Sequence, residues 1–240
     1  EMFLYVAVVF GWSTSWYPLS LQLGVVAPEV SIFWRFLVSS LMMLAITALC
    51  GIRFRFEPGE HLRFLFLGMA LFSTNFALFY NSSLYLASGL LAVILSMSSL
   101  INVVLVAAIN RRPPPLLQMV AAIVGLVGLG LIFAPEFKTL PTAGIAVAYG
   151  VLATFSFCIG NLLSSRSQQR GTPVLASTSW GMVYGTLFMG IIGLLRGHPF
   201  IIDMSPSYLF SLAWLILISS VMTFACYLSL VGRIGPGRAA

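Results

Sequence analysis

Charged residues are scarce in this chain, and their scarcity sets its class. Only 8% of the 240 residues are Asp, Glu, Lys or Arg, and 60% are hydrophobic, whereas about a quarter of a soluble domain is charged. Such a chain cannot cover a folded surface with polar side chains, which excludes an ordinary water-soluble domain. Apolar runs of about 20 residues, long enough to cross a bilayer as helices, recur along it. The sequence therefore predicts an all-α polytopic membrane protein with the lipid bilayer as a partner.

Eight of these runs are predicted as membrane spans, separated by short gaps rich in proline, glycine and charge. They are residues 2–24, 30–50, 64–86, 90–109, 115–134, 142–164, 174–195 and 208–232. The gaps are too short to hold a further folded domain.

Cysteine and histidine are too few and too dispersed for a metal site or a disulfide framework. Cys50, Cys158 and Cys226 fall in separate spans without a CxxC motif, and both His61 and His198 lie in the gaps. We predict no metal and no cofactor.

Acidic residues are absent from the interior of the spans. All six lie in or beside the gaps: Glu1, Glu29, Glu57, Glu60, Glu136 and Asp203. A proton-coupled transporter usually carries a titratable group within the membrane, so the sequence favours uncoupled transport. An intramembrane enzyme would need a Ser with a His, or paired carboxylates, at helix depth. A channel would need a charged ring or a re-entrant loop, for which the gaps are too short and too apolar.

Basic residues give the chain a net charge of +6, but they alternate between gaps instead of forming a patch for nucleic acid. If the amino terminus is cytoplasmic, the outer gaps hold only Lys138 and Arg196. The inner gaps then hold Arg53, Arg55, Arg63, Arg111, Arg112, Arg166, Arg170, Arg233 and Arg238. This positive-inside distribution predicts a cytoplasmic amino terminus and no nucleic-acid partner.

An internal repeat relates the last stretch of the chain to an earlier one. Residues 224–240, FACYLSLVGRIGPGRAA, align without gaps on residues 76–92, FALFYNSSLYLASGLLA, with Phe, Ala, Gly and Ala shared. Pro28 before the second span matches Pro173 before the seventh span, at nearly the same offset along the sequence. We therefore divide the chain into a first five-helix repeat, residues 1–136, and a second repeat, residues 137–240.

Two copies of five helices must lie upside down relative to each other, because an odd number of spans reverses the chain. The charges of matching gaps agree with this inversion. The gap after the second span is basic, whereas the matching gap after the seventh is nearly neutral. The gap after the third span is uncharged, whereas the matching stretch of the second repeat carries Arg233 and Arg238. The first copy continues with two more spans after Ala92. We expect an inverted five-plus-five helix repeat of ten spans, of which about eight lie in this chain, cut after the third helix of the second repeat.

Several segments carry a family resemblance: VFGWSTSWYPLSLQL in the first span, APEVSIFWRFLVSSLMML with Arg35 in the second, and NVVLVAAINRRPPPLLQMVAAIVGLVGLGLIF across the fourth and fifth. They resemble the EamA-type branch of the drug/metabolite transporter (DMT) superfamily. The segment FYNSSLYLASGLLAVILSMSSL and the aromatic first span are most similar to its YddG-type amino-acid exporters. Asn110-Arg111-Arg112 stands where many members carry Gly-Glu-Arg, so a role of that glutamate is not carried over. The resemblance implies a transporter, not an enzyme, in the bacterial cytoplasmic (inner) membrane.

Polar and aromatic residues near the middle of the spans are the candidate substrate contacts, because inverted-repeat transporters bind their substrates near the midplane between the halves. Pro18 can kink the first helix, and Arg35 is either a structural anchor or a gate or contact for a substrate carboxylate. The predicted cavity residues are Trp12, Ser13, Trp16, Tyr17, Asn75, Phe79, Tyr80, Ser96, Ser99, Asn161, Trp180, Tyr184 and Tyr227.

An aromatic cavity with scattered hydroxyls and amides favours a neutral or zwitterionic small molecule with an apolar side chain. The sequence thus predicts an exporter of small metabolites, in particular neutral or aromatic amino acids, that works by alternating access and facilitated diffusion. Two alternatives remain open: a multidrug or lipid-like amphiphile exporter of the same fold, and a proton-coupled exchanger that uses the two further helices. We expect a monomer, with a dimer as the alternative.

Overall fold

The computed structural model describes residues 1–111, 113–114, 116–139 and 142–239, without the side chains of residues 88, 110, 122, 126, 129, 133, 135–139, 143 and 238. Arg112 and Ala240 therefore lie outside the described residues, as do the side chains of Lys138 and Arg238. Over the described ranges every regular element is helical: α1 Met2–Ser13, α2 Trp16–Ser20, α3 Pro28–Leu49, α4 Pro58–Ser83, α5 Ser88–Ser96, α6 Ser98–Asn110, α7 Leu116–Thr139, α8 Ala143–Gln169, α9 Val174–Leu195, α10 Pro206–Ile234 and α11 Pro236–Ala239.

Six helical stretches within the described part of the chain are long and apolar enough to cross a membrane. They are Pro28–Leu49, Pro58–Ser83, Gly89–Ile109, Gly144–Gln169, Val174–Leu195 and Pro206–Ile234. Each coincides with one predicted span. The first predicted span is divided between α1 and α2, and the fifth falls on α7, whose apolar part is the shorter stretch Leu116–Ile132. The total of eight spans therefore stays a prediction.

The break between α1 and α2 follows from Pro18. Proline has no N–H to donate to the carbonyl four residues earlier, which is that of Thr14, and the helix is interrupted at Thr14 and Ser15. The Thr14 hydroxyl donates to the Phe10 carbonyl over 2.7 Å, and Ser15 donates to the Gly11 carbonyl. Thr14 and Ser15 keep right-handed helical backbone angles, so the break is a local distortion of the helix at the predicted kink.

Prolines also begin three of the long helices. Pro28, Pro58 and Pro206 each occupy the first turn of their helix, where the missing N–H costs nothing and the fixed φ suits a helix. Before α10, the Ser205 hydroxyl accepts a hydrogen bond from the Tyr208 N–H over 3.4 Å.

Two helices contain π-helical segments, Gly68–Thr74 in α4 and Leu215–Met222 in α10. Each begins about three turns after the proline that opens its helix. In each helix a hydroxyl donates to the carbonyl five residues earlier: Ser73 to Gly68 over 3.0 Å, and Thr223 to Ile218 over 2.7 Å. Such widened turns are rare and occur often at functional sites.

The helices pack in a crossed arrangement. Extensive contacts join α3 to α9 and α4 to both α8 and α9, while α1 packs on α10. The α4–α9 contact is close because glycines face each other there, Gly68 against Gly181 and Gly185, as small residues commonly allow in membrane bundles.

The outward surface of the bundle carries large apolar side chains, such as Leu41 on α3, Leu187 and Ile191 on α9 and Leu217 on α10, each more than 48% exposed. An apolar surface of this extent suits lipid rather than water.

We name the two ends of the bundle by residues that lie there. The Gln22 end is formed by residues 21–27 and 196–205, where Gln22 bonds to Tyr208 and Trp34 bonds to Ile201. The His61 end is formed by residues 50–57 and 170–173 with the adjoining helix ends, where Thr172 bonds to Glu60.

Candidate functional site

A small cavity, which we call the central cavity, lies inside the bundle and is lined by residues of α1, α2, α3, α4, α5, α8 and α10. Its volume is about 50 Å³. A cavity needs about 10–15 Å³ of this volume to hold one water molecule, so the central cavity is too small for an amino acid. Its walls must move before an amino acid can enter. The residues that line this central cavity are Trp12, Ser15, Trp16, Leu19, Arg35, Asn75, Phe76, Phe79, Leu95, Phe157, Leu215, Ser219 and Phe224.

Aromatic rings form most of the cavity wall, and they hold one another in place. The Trp16 ring meets that of Phe79 edge to face, with 5.6 Å between the ring centres. The Trp12 ring lies 5.5 Å from Phe224 and 5.6 Å from Phe157 in the same geometry. Edge-to-face pairs of this kind each contribute about 0.5–1.5 kcal/mol beyond burial. The wall contains two such groups, the Trp16–Phe79 pair and the rings around Trp12.

Tyr227 supports this wall from behind. Its ring centre lies 4.6 Å from that of Trp12, and its ring stacks on Phe157 at 5.4 Å. The Tyr227 hydroxyl accepts a hydrogen bond from Asn161 Nδ2 over 2.7 Å. Asn161 and Tyr227 are both fully buried, and they position the rings that line the cavity rather than lining it themselves.

Polar groups reach the cavity from four residues: Ser15, Arg35, Asn75 and Ser219. Arg35 is fully buried; its Nε donates to Ser220 Oγ over 2.9 Å and its Nη2 donates to Ser219 Oγ over 3.0 Å. Both serines belong to the π-helical segment of α10, which thus presents two successive hydroxyls to one guanidinium.

A lateral cleft of about 630 Å³ lies beside the central cavity, lined by α1, α2, α5, α6, α8 and α11. Trp12, Trp16, Leu95 and Phe157 line both spaces and form the partition between them. The other lining residues of the cleft are Tyr5, Val8, Val9, Ser13, Tyr17, Gly89, Ala92, Ser96, Ser98 and Ala239.

A buried polar network closes the bundle on the Gln22 side of the central cavity. Gln22 Nε2 donates to the Tyr208 carbonyl over 3.0 Å and to Ser211 Oγ, while Gln22 Oε1 accepts from the Ser31 hydroxyl over 2.8 Å. Gln22 lies one turn beyond the cavity residue Leu19, so the network separates the cavity from that end.

An ion pair lies at the same end. The Glu29 carboxylate, only 3% exposed, pairs with Arg196 and lies 3.8 Å from His198 Nε2. It ties the first turn of α3 to the end of α9, beside the Gln22 network.

Gln22→Leu is expected to lower the free energy of unfolding by about 1–3 kcal/mol, because buried partners of the amide lose their hydrogen bonds. The measurement is thermal unfolding in detergent. Gln169→Leu is the matched control, since Gln169 is exposed and makes one weak bond to Ser165. Equal midpoints for the two variants would show that the network adds no stability.

The structure brings some of the predicted cavity residues together and separates others. Trp12, Trp16, Asn75 and Phe79 line the central cavity beside Arg35, and the buried Pro18 lies next to the break that turns Trp16 into it. Ser13, Tyr17 and Ser96 line the lateral cleft instead. The remaining residues line neither space: Tyr80, Ser99, Asn161, Trp180, Tyr184 and Tyr227.

Trp180 and Tyr184 lie toward the His61 end, away from the predicted cavity. Trp180 Nε1 donates to the Phe54 carbonyl over 3.3 Å, and the Tyr184 hydroxyl lies 3.0 Å from His61 Nδ1. Their aromatic face is covered by the segment before α4, because Trp180 lies only two turns into α9. The Ser99 hydroxyl lies 3.4 Å from the carbonyl of Ser96 on its own chain segment, and Tyr80 packs beside Arg35.

The structure also adds wall residues that the sequence prediction missed, among them Phe76, Phe157 and Phe224. The predicted internal repeat contained a signal for one of them. Phe157 stands opposite the predicted residue Trp12 at the offset that relates Pro173 to Pro28. A wall residue found in one copy could therefore have been sought at the matching position of the other.

Comparison with known proteins agrees with this architecture. Residues 1–134, more than half of the chain, match the EamA-like transporter family, and no curated protein matches the chain. The matched part includes Trp12, Trp16, Arg35, Asn75 and Phe79. The resemblance to the EamA-type branch is thereby confirmed, whereas the YddG-type subfamily stays a prediction. With its six apolar helices, the chain belongs to the EamA-like transporter family and is a multi-pass membrane transporter of small solutes.

Proposed function

We propose that the chain is the larger part of an exporter of neutral or aromatic amino acids in a bacterial inner membrane, where it works by alternating access. The make-up of the central cavity carries this proposal. Aromatic rings form most of its wall, and four polar residues, Ser15, Arg35, Asn75 and Ser219, also line it. Binding sites of this composition suit a small solute with an apolar side chain and a compact polar head.

An inverted five-plus-five repeat is the proposed framework for this motion, with residues 1–136 and 137–240 as its two units. Matching features support it: α4 and α10 both begin at a proline and both widen into a π-helical segment about three turns later. The packing is also reciprocal, since the first helix of each proposed unit packs on the third helix of the other, and the two second helices, α3 and α9, pack together.

The proposed repeat extends the second unit by two helices beyond α11. Ser88 opens α5 in the first unit, and Pro236 opens α11 at the matching position of the second. Because Ala239 of α11 lines the lateral cleft, we propose that the next helix covers this cleft in the ten-helix protein. Alternating access then consists of the two units rocking about the central cavity, in a protein that we propose to be monomeric, with a dimer as the alternative.

The charge distribution supports a cytoplasmic His61 end and therefore a cytoplasmic amino terminus. Arg53, Arg55, Arg63 and Arg170 lie at that end, whereas Arg196 lies at the Gln22 end. Basic residues are retained on the cytoplasmic side of bacterial inner-membrane proteins, so we propose that the Gln22 end faces the periplasm.

Facilitated diffusion is the proposed driving mode. Among the described residues, neither the central cavity nor the lateral cleft is lined by a carboxylate or an imidazole. A proton-coupled carrier needs such a group where it can reach the substrate pathway. Glu29 is buried, but it pairs with Arg196 at the Gln22 end of the bundle and lines neither space. Proton coupling would therefore require groups on the two further helices.

Export of amphiphiles, such as drugs or lipids, is the second candidate function. The lateral cleft favours it, because exposed apolar and aromatic residues such as Tyr5, Val9 and Tyr17 lie along its rim. An amphiphile could enter from the bilayer by this route if no further helix covers the cleft.

The test is uptake of labelled phenylalanine, threonine and methionine into proteoliposomes that hold the complete ten-helix protein, with and without a pH gradient. We expect saturable uptake that does not respond to the gradient. No uptake of any of the three would remove the amino-acid assignment, and drugs and lipids would be tried next. Uptake driven by the gradient would instead remove facilitated diffusion.

Trp16→Ala locates the pathway in the same assay. We expect it to abolish saturable phenylalanine uptake, since the Trp16 ring lines the central cavity and pairs with Phe79. Tyr85→Ala is the control, because Tyr85 is 46% exposed and lines neither space. Equal uptake by the two variants would place the substrate elsewhere.

A further inference from the structure

Arg35 carries a positive charge into the apolar interior without an acidic partner. It lies about 10 Å along α3 from Pro28 by the helical rise and is fully buried. The ion pairs of the described residues join Arg63 to Glu60 and Arg196 to Glu29; neither includes Arg35. A charge placed inside the membrane is costly and is normally paired or functional.

The protein meets part of the hydrogen-bonding capacity of this guanidinium with neutral groups. Nε and Nη2 donate to Ser220 and Ser219, and the guanidinium carbon lies 4.5 Å from the centre of the Phe76 ring and 5.2 Å from that of Phe36. Aromatic faces attract a cation. These contacts hold the group in one place, but they bring no negative charge to it.

Two buried polar atoms beside the central cavity have no hydrogen-bond partner within the described part of the chain. One is Arg35 Nη1, a donor, and the other is Asn75 Oδ1, an acceptor. Both residues line the central cavity. The Tyr80 hydroxyl interacts with the guanidinium, but the two groups fall short of hydrogen-bond geometry and the neutral hydroxyl brings no negative charge. Buried polar groups of folded proteins nearly always have partners, so this donor and this acceptor indicate a ligand.

A zwitterionic α-amino acid supplies what these atoms lack. Its carboxylate accepts hydrogen bonds and neutralises a cation, and its ammonium donates to a carbonyl-type oxygen. We propose that Arg35 binds the carboxylate of the substrate through Nη1 and that Asn75 Oδ1 accepts a hydrogen bond from its ammonium group. The side chain of the substrate then lies against the aromatic wall of Trp12, Trp16 and Phe79. This assignment rests on the proposed function and specifies it, since it requires a free carboxylate.

Substrate binding and the charge of Arg35 are then coupled. In the substrate-free protein the two serines and the aromatic faces hold the guanidinium, and the arriving carboxylate neutralises it at the centre of the bundle. The serines belong to the π-helical segment of α10, whereas Arg35 belongs to α3 and Asn75 to α4. A bound amino acid therefore links three helices drawn from both proposed repeats.

The experiment measures binding to the purified complete protein by competition against labelled phenylalanine. The competitors are phenylalanine itself, phenylalaninamide, which lacks the carboxylate, and 3-phenylpropionate, which lacks the ammonium. We expect the wild-type protein to bind phenylalanine about 10- to 100-fold more tightly than either analogue, because each lost charge-assisted hydrogen bond is worth one to two powers of ten.

Variants assign the two contacts separately. Arg35→Gln should bind phenylalanine about 10- to 100-fold more weakly and no longer prefer it to phenylalaninamide. Asn75→Leu should keep the preference over phenylalaninamide and lose the preference over 3-phenylpropionate. If Arg35 were purely structural, Arg35→Gln would change the stability of the protein but leave these binding preferences as they are in the wild type. That result would overturn the assignment.

The wild-type series decides the matter even if Arg35→Gln does not fold. Equal binding of phenylalanine and phenylalaninamide by the wild type would overturn the carboxylate contact while leaving an amino-acid transporter in place. Binding of none of the three compounds would overturn the proposed function itself, and with it this assignment.

Discussion

Gly68→Ala is expected to lower the free energy of unfolding by about 2–3 kcal/mol, as overpacking of a tightly packed core does, and to reduce sharply the yield of folded protein. A Cβ at residue 68 would meet the carbonyl oxygen of Gly181 and would lie 2.8 Å from the backbone nitrogen of Gly185. Backbone atoms within a helix cannot rotate aside. The methyl group must therefore push α4 away from α9, and that contact holds the centre of the bundle together.

Two further glycines grade the prediction. Gly181→Ala should cost less, because its new Cβ would meet the Phe72 ring at 3.0 Å and the Leu67 side chain at 3.2 Å, and these groups can shift. Gly130→Ala is the control, since no described heavy atom lies within 4 Å of a Cβ built there. In thermal unfolding in detergent, Gly130→Ala should have the highest midpoint, Gly181→Ala an intermediate one and Gly68→Ala the lowest. A Gly68→Ala midpoint equal to that of Gly130→Ala would show that the two helices separate without cost.

The sequence predicted the helical spans well because each depends on local composition. Runs of apolar residues set their lengths, and prolines such as Pro28, Pro58 and Pro206 set where three of them begin. Pro18 likewise predicted a kink in the first span. The π-helical segments could not be predicted in this way, because a turn widened by one residue is stabilised by packing against other helices and leaves no simple periodic pattern.

The residues of the candidate site could be predicted only where their depth along a helix determines whether they line the cavity. Trp12 and Trp16 lie near the middle of a span, and both line the central cavity. Trp180 and Tyr184 show the limit, since helical spacing places both on one face but does not say what covers that face. The partners of Arg35 lie 184 and 185 residues away, at Ser219 and Ser220, and only the folded chain reveals that they are neutral.

Trp12→Ala is expected to have the second large effect, on stability and transport together. The Trp12 ring packs against Phe157, Phe224 and Tyr227, with 4.6 to 5.6 Å between ring centres. Removing a large aromatic side chain from such a setting costs about 3 kcal/mol or more. It also removes one of the four residues between the central cavity and the lateral cleft, so the apparent KM for phenylalanine should rise at least about tenfold.

Trp12→Phe separates the two effects, because a phenyl ring keeps the edge-to-face contacts and part of the partition. We expect a KM within about twofold of the wild-type value, because only a small part of one aromatic contact is lost. The unfolding midpoint should lie between those of the wild type and Trp12→Ala. A Trp12→Ala variant that is less stable but transports normally would mean that Trp12 serves packing alone and that the substrate binds beyond its reach. If both properties change together and Trp12→Phe restores both, the ring that holds the bundle closed is also a wall of the substrate site. The rings around Trp12 would then couple closure of the cavity to binding, since they can pack fully only when the space beside them is either collapsed or filled.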